Sequence, residues 1–296
     1  MNDDFSPYVP QVHFELIPIK NLVSNQEYQR NLSIKHVQRT AAHFDVNQIN
    51  PVKVSRRNDK NYVFNGQHTI EIVSLVSGNP NTPVWCMVYE NLDYVEEADI
   101  FANQLKFTKP LSPYEIFVAN IEAGNDKQLI INDLVNSYDL IIEGKPGPGN
   151  ICAVSTLEKI YDHYGYHILN KTIGLIAATW EGEAKSFSGN MLLGVARLIY
   201  AFGNELKEDY FKEKLSQTSI REISRTAKDR RAGSLGYSEA ILNIYNSRRG
   251  GHNMLAIEKL YSHRKLPTSP PDNDIAPEVE TETASTEQME LFVPET

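Results

Sequence analysis

The stretch YVFNGQHTIEIV, residues 62–73, passes from a β-rich run into a helical pattern across a single glycine, Gly66. A polar trio, Gln67, His68 and Thr69, opens the helix. Strand, glycine turn and helix start together form a common device for holding an anion. Backbone N–H groups at a helix start lack intrahelical partners, and the dipole there favours negative charge. The alternative is a plain corner that needs a residue tolerant of unusual backbone angles.

The surrounding chain supports a compact mixture of strands and helices. HFELIPI (13–19) alternates like a strand, and SIKHVQRTAAHF (33–44) has helical spacing with Ser33 as its N-cap. PVKVS and NYVFN flank residues 56–60 as a hairpin-like pair. A helix is predicted from Gln67 to Val76, a strand over 84–89 and a further helix over 95–105. The texture then changes. SPYE at 112–115 is a capping box with Pro113 in the first helical position, and helix follows helix from there. Helices are predicted over 112–123, 126–139, 153–164, 167–180, 189–203, 205–215, 218–230, 237–247 and 253–262. EGKPGPGN (143–150) is a loop that no regular element crosses.

Charge is unevenly spread. The chain of 296 residues carries a net charge of −9, of which residues 269–296 supply eight acids and no Lys or Arg. Residues 220–265 hold ten Lys or Arg against four Asp or Glu. Such asymmetry speaks to partners more than the total does. No apolar run approaches the roughly 18 residues of a membrane span, and the acidic start MNDDFSPYVP lacks the apolar core of a signal peptide. Two distant cysteines, Cys86 and Cys152, have no metal-type spacing. A cytoplasmic protein with reduced thiols and no membrane association is expected.

The order EYQR (27–30), helix, INPVKVS (49–55), YVFNGQHTIEI (62–72), strand, helix, LSPYE (111–115) resembles the ParB N-terminal and sulfiredoxin-like superfamily over about residues 14–123. Within it, GQHT is similar to the GQHR-type branch found in phage and mobile elements. Composition predicts a flexible N-terminus (1–12) and a disordered acidic tail (267–296), too poor in apolar surface to offset its ordering entropy. The resemblance implies an α+β fold, with a ParB/sulfiredoxin-like α/β domain (13–110) followed by an all-helical domain (111–266) that is the candidate for DNA contact. It also implies a nucleoside-triphosphate pocket, taking CTP or ATP with Mg²⁺. Carried over by position, Gln29 and Arg30 match its first element and Gln48 and Pro51 its second. Gly66, Gln67 and His68 match the glycine turn, and Asn103 the last element.

Departures from the family pattern shift the expected chemistry. Thr69 stands where the family has a phosphate-binding arginine, and Ala102 where it has an acidic metal ligand. Phosphate neutralisation therefore falls to Arg30, Arg56, Arg57 or Lys106, and only a metal-dependent enzyme would call on Glu97 or Asp99 as donors. No metal site is expected from the residues themselves. Gln67 occupies the place of the sulfiredoxin nucleophile, and an amide supports no thiol chemistry. His68 is the candidate general base, with phosphate donation and a structural role at the helix start as alternatives. Arg30 either contacts ligand or pairs with Glu27, and Glu71 faces solvent or pairs with a lysine.

SIREISRTAKDRRAG (219–233) puts Arg221, Arg225 and Lys228 on one helical face, which is either a solvated face or a contact surface for DNA phosphates. Arg230, Arg231, Arg248 and Arg249 extend the basic set. In the tail, QMELF resembles the bacterial sliding-clamp-binding pentapeptide, with Gln288 at the rim and Met289, Leu291 and Phe292 in apolar pockets. The expected function is nucleotide-responsive DNA binding or DNA maintenance in a plasmid, phage or integrative element, with homodimerisation allowed for. The alternatives are a metal-dependent nuclease or nucleoside triphosphatase, and a non-catalytic clamp adaptor.

Overall fold

The computed structural model describes residues 9–24, 28–29, 31–104, 106, 108–183, 185–247, 254–271, 274 and 276–277. Arg30, Arg248, Arg249 and the QMELF residues Gln288, Met289, Leu291 and Phe292 lie outside the described residues. The chain divides into two compact units, Met1–Pro110 and Leu111–Thr296.

The first unit is built on a five-stranded mixed sheet. Its strands are β1 (Val12–Pro18), β2 (Leu22–Ser24), β3 (Val52–Arg57), β4 (Lys60–Asn65) and β5 (Pro83–Glu90), in the order β1-β5-β3-β4-β2. β3 and β4 form the expected hairpin, and its two-residue turn, Asn58-Asp59, has φ of 51° and 57°. Asn and Asp tolerate that left-handed region better than other side chains, and such turns match the twist of the flanking strands. β1 runs antiparallel to β5, whereas β3 is parallel to β5 and β2 parallel to β4. Alternation buries Val84, Cys86 and Val88 of β5 and leaves Trp85 outward. Val52, Val54 and Val63 are fully buried beside them. Each such side chain contributes about 1.5–3 kcal/mol of burial.

Among the described residues of this unit three α-helices join the sheet: α1 (Ile34–Ala42), α2 (Gln67–Ser77) and α3 (Tyr94–Asn103). Ser33 caps α1 as expected, its Oγ accepting from the backbone N–H of His36. Gly66 caps α2 at φ 107°, and a Cβ there would meet Val52 Cα at 3.1 Å. Glycine is therefore required twice over, by the left-handed backbone and by the closeness of β3. A register shift between Lys53 and Val54 sits beside this junction, where Lys53 faces Asn65.

The second unit holds α4 (Pro113–Glu122), α5 (Asp126–Asn136), α6 (Val154–Tyr164), α7 (Tyr166–Trp180), α8 (Gly189–Phe202), α9 (Glu208–Leu215), α10 (Ile220–Arg230), α11 (Ser234–Tyr245) and α12 (Ile257–Ser262). The capping box at Ser112 and Glu115 is formed, with Pro113 in the first turn. α8 is the central helix. Eleven of its residues, from Met191 to Phe202, are buried, including Gly194, whose absent Cβ lets α11 come close. A Cβ on Gly194 would lie 2.9 Å from Tyr237 Cβ, and Ser238 Oγ donates to the Gly194 carbonyl at 2.9 Å.

The unit is not all-helical. β6 (Ile141–Ile142) and β7 (Asn150–Ile151) pair in parallel across the Gly/Pro-rich loop. Neither they nor β2 is predicted from the sequence, because two or three residues are too few to show alternation. α11 begins at Ser234, three residues before its expected start, directly after Gly233 at φ 80°. No described helix is long and apolar enough to cross a membrane.

Candidate functional site

Two helix starts meet at one cleft of about 500 Å³ in the first unit. Ser33 and His36 bring the first turn of α1 to it, and Gly66, Gln67, His68 and Thr69 bring that of α2. The two are tied together. The backbone N–H of Ser33 donates to Nε2 of His68 at 3.2 Å, and the His36 and His68 rings meet edge-on with centroids 5.6 Å apart. A backbone donor fixes His68 Nε2 as the acceptor, so the ring proton is on Nδ1. The candidate general-base nitrogen is thus already engaged.

The remaining walls are amides and one aromatic ring. Gln29 lines the cleft, but its amide is committed to the sheet. Its Nε2 donates to the Val63 carbonyl, and its Oε1 accepts from Ser24 Oγ. Asn65 Nδ2 donates to Gln104 Oε1 at 2.7 Å, joining the end of β4 to the end of α3. Asn31 and Phe101 close the remaining sides. A second cleft of about 410 Å³ shares Asn65, Gly66, Thr69 and Gln104, and adds Asn50, Lys53 and the apolar Phe14 and Met87. Among the described lining residues His36, His68 and Lys53 are the ionisable side chains, and no carboxylate lines either cleft.

Several expected ligands sit elsewhere. Arg56 and Arg57 lie at the far end of β3, five residues and about 17 Å of strand from Val52. Arg56 pairs with Glu15 at 2.7 Å and holds that carboxyl below its usual range. Arg57 binds the buried Glu97 at 2.9 Å and lies 4.0 Å from the centroid of Tyr62. Glu97 also accepts from Tyr28 Oη at 3.1 Å, and burial together with that carboxylate raises the phenol's pKa. Each oxygen of Glu97 therefore already holds a partner, and Glu97 lines neither cleft.

Asp99 accepts from Asn103 Nδ2 at 2.8 Å, which turns Asn103 back along its own helix. Gln104, the next residue, lines the cleft instead. Gln48 is exposed in a short 3-10 turn, Val46–Gln48, and lines neither cleft, as is true of the exposed Lys106. Glu71 is exposed. No group of three or more potential metal ligands occurs among the described residues. Mg²⁺ is usually held by one or two carboxylates plus phosphates, so these residues do not fit a resident divalent ion.

The basic stretch of the second unit forms a groove of about 790 Å³. Ile220, Ile223 and Ala227 bury one face of α10, which leaves Arg221, Arg225 and Lys228 exposed on the other. All three line the groove, joined by Lys185 and Ser188 from the segment entering α8. Ser219, the N-cap of α10, and Ser224, bonded to Tyr237 Oη at 2.7 Å, complete its polar wall. Glu222 is the one acid among its described lining residues. Arg230 is exposed but outside the groove. Arg231 is taken up by Glu239 at 3.4 Å and the face of Tyr261. Lys185 carries no sequence signal linking it to α10, since loop packing alone brings it there.

No curated protein matches this chain. A structure of C-terminally truncated chromosome-partitioning protein ParB from Caulobacter crescentus, complexed with CTP-gamma-S, aligns with 13% identity and a TM-score of 0.34. The alignment covers 78% of this chain and 99% of that one. A likeness of that degree fixes neither fold nor ligand. The family match is broader, because residues 23–258 run through both units and contain both the cleft and the groove. Over that span they match the model of DUF6551, a family of unknown function, and the chain belongs to that family.

Proposed function

We propose that this chain is a nucleotide-responsive DNA-binding protein that acts in DNA maintenance. The observation that carries this reading is the meeting of two helix starts at one cleft, linked through Ser33 and His68. A phosphate placed there meets two positive dipole ends. Two such termini supply roughly 1–4 kcal/mol. Binding tighter than about 1 mM needs more than about 4 kcal/mol, so phosphate contacts alone are not enough. The adjoining cleft supports the remainder, with the Lys53 cation, the Asn50 and Gln104 amides and the apolar Phe14 and Met87 for a sugar and base.

In the second unit the groove of Arg221, Arg225, Lys228 and Lys185 takes the DNA phosphates. Nucleotide binding shifts the chain toward the conformer that binds it better, and DNA affinity follows. The plasmid, phage or integrative-element setting is what the sequence resemblance implies. No hydrolytic step belongs to this reading, since no carboxylate lines the cleft among the described residues.

Calorimetric titration of CTP, ATP and GTP, with and without Mg²⁺, into wild type and Thr69→Glu tests the cleft. An acid in the first turn suits the helix, yet it places a carboxylate where phosphate would bind. Saturable heat for one nucleotide, lost in Thr69→Glu, is expected. A folded wild-type protein that gives no heat with any nucleotide would sink the reading. DNA affinity, measured by anisotropy with and without that nucleotide, then tests the response.

A further inference from the structure

The groove on α10 has an acidic counterpart in the same chain. Residues 278–296 contain six glutamates (Glu278, Glu280, Glu282, Glu287, Glu290 and Glu295) and no Lys or Arg. The groove presents Lys185, Arg221, Arg225 and Lys228 against the single acid Glu222, and none of the four cations is ion-paired to a described residue. Four cations with no carboxylate partner among the described residues form a surface that favours an anionic chain.

The place where the described chain ends decides whether its own acids reach that surface. Asp274 accepts from the backbone N–H of His167 at 3.0 Å, at the first turn of α7. Pro277 is exposed three residues later. At the other end of α7, Trp180 Nε1 donates to the Thr218 carbonyl at 3.2 Å, immediately before Ser219 in the groove wall. The 15 residues of α7 therefore separate anchor from groove, about 22 Å at the usual rise. Nineteen residues, 278–296, span up to about 63 Å when extended. The reach is ample.

We infer that the glutamate-rich segment 278–296 occupies the Lys185/Arg221/Arg225/Lys228 groove in cis, as a competitor of polyanionic ligands. Its effect on DNA rests on the reading of the groove given above, but its occupancy of the groove does not. A tether of this kind holds the segment at about 1 mM effective concentration. An intrinsic affinity of about 0.1–1 mM then weakens DNA binding roughly two- to tenfold, and the competition fades with salt.

Carbodiimide coupling of the full-length chain at low salt, with couplings inside a single chain mapped by mass spectrometry, tests the occupancy directly. The expected products are amides joining these glutamates to Lys185 and Lys228, lost in Arg221→Glu/Arg225→Glu and in high salt. Lys171, exposed on α7 close to the Asp274 anchor and outside the groove, is the internal control. Coupling to Lys171 as frequent as to Lys185 and Lys228 would overturn the inference. A full-length chain with all six glutamates changed to glutamine should bind a DNA duplex two- to tenfold more tightly at low salt. Equal DNA affinity of the two chains refutes the competition. If neither chain binds DNA, the DNA reading of the groove fails, and the coupling pattern still decides occupancy.

Discussion

The backbone N–H of Ser33 and Nε2 of His68 are joined by a 3.2 Å hydrogen bond across 35 residues of chain. The bond uses the N-cap of one helix and the first turn of another, and it defines the tautomer of the ring. Ring ¹⁵N shifts should therefore report His68 as the neutral Nδ1–H form. A Nε2–H tautomer would disprove the bond. His68→Ala should cost about 1 kcal/mol of stability, the net worth of a typical hydrogen bond. It should also weaken nucleotide binding several-fold by loosening the two helix starts. Unchanged nucleotide affinity in a folded variant would separate His68 from the cleft's function.

Gly66 and Gly78 bracket α2, and both have positive φ, at 107° and 61°. Only Gly66 lies against a neighbour; a Cβ on Gly78 meets nothing within 4 Å. Gly78→Ala should cost about 1–2 kcal/mol, the backbone term alone. Gly66→Ala should cost more, about 2–4 kcal/mol, because strain at φ is joined by displacement of Val52. Urea unfolding of the two variants measures the difference. Equal losses would show that β3 gives way freely at Val52.

Cys86 and Cys152 sit in different units, one fully buried and the other exposed. Burial pushes the Cys86 thiol up to about 11. Under native conditions a thiol reagent should label Cys152 and spare Cys86, which becomes a reporter of opening in the first unit. The linkage sign follows from the raised value. Below the unfolded thiol's ordinary range the contribution is fully present. Above it the unfolded chain ionises while the native one does not, and stability falls until pH passes about 11. The loss attributable to Cys86 is at most about 2–3 kcal/mol. Urea midpoints of wild type and Cys86→Ala between pH 8 and pH 11, roughly the window set by these values, should diverge in slope. Parallel slopes would refute the assignment.

The contrast between what local chemistry announces and what tertiary packing decides runs through both units. Ser33, Gly66 and the Ser112–Glu115 box are legible because a cap needs only its own next three residues. The Asn58-Asp59 turn is legible for the same reason. Arg56 and Arg57 look like free cations in sequence because their partners, Glu15 and Glu97, lie 41 and 40 positions away. Asn103 and Gln104 are adjacent, and only the direction of the last turn of α3 gives the cleft to Gln104. Lys53 and Lys185 enter their sites through a strand register shift and a loop, and neither leaves a pattern in the chain.

Arg57→Ala should be costly although Arg57 is no part of the cleft. Glu97 is fully buried, and removing its guanidinium partner leaves a carboxylate with only Tyr28 Oη. Breaking such a pair from one side costs about 3–5 kcal/mol. Arg57→Ala/Glu97→Leu should recover most of that loss, since no lone charge is then buried. Nucleotide affinity per folded molecule should be the same in both variants. A loss of affinity that persists in the double variant would return Arg57 to the list of phosphate ligands.

Arg221, Arg225 and Arg231 separate a DNA surface from a structural role within eleven residues of chain. Arg221 and Arg225 line the groove, whereas Arg231 pairs with the buried Glu239 and faces Tyr261. If the groove holds DNA phosphates, each lost contact lowers the slope of log affinity against log salt by about 0.9. Arg221→Ala/Arg225→Ala should therefore reduce that slope by about 2 without altering the melting temperature. Arg231→Ala should do the reverse, keeping the slope and lowering thermal stability. Measuring duplex affinity at several salt concentrations beside thermal melts distinguishes the two. A slope unchanged in the double variant would mean that these arginines touch no phosphate, and the groove would lose its DNA assignment while keeping its anionic competitor as the remaining reason for its charge.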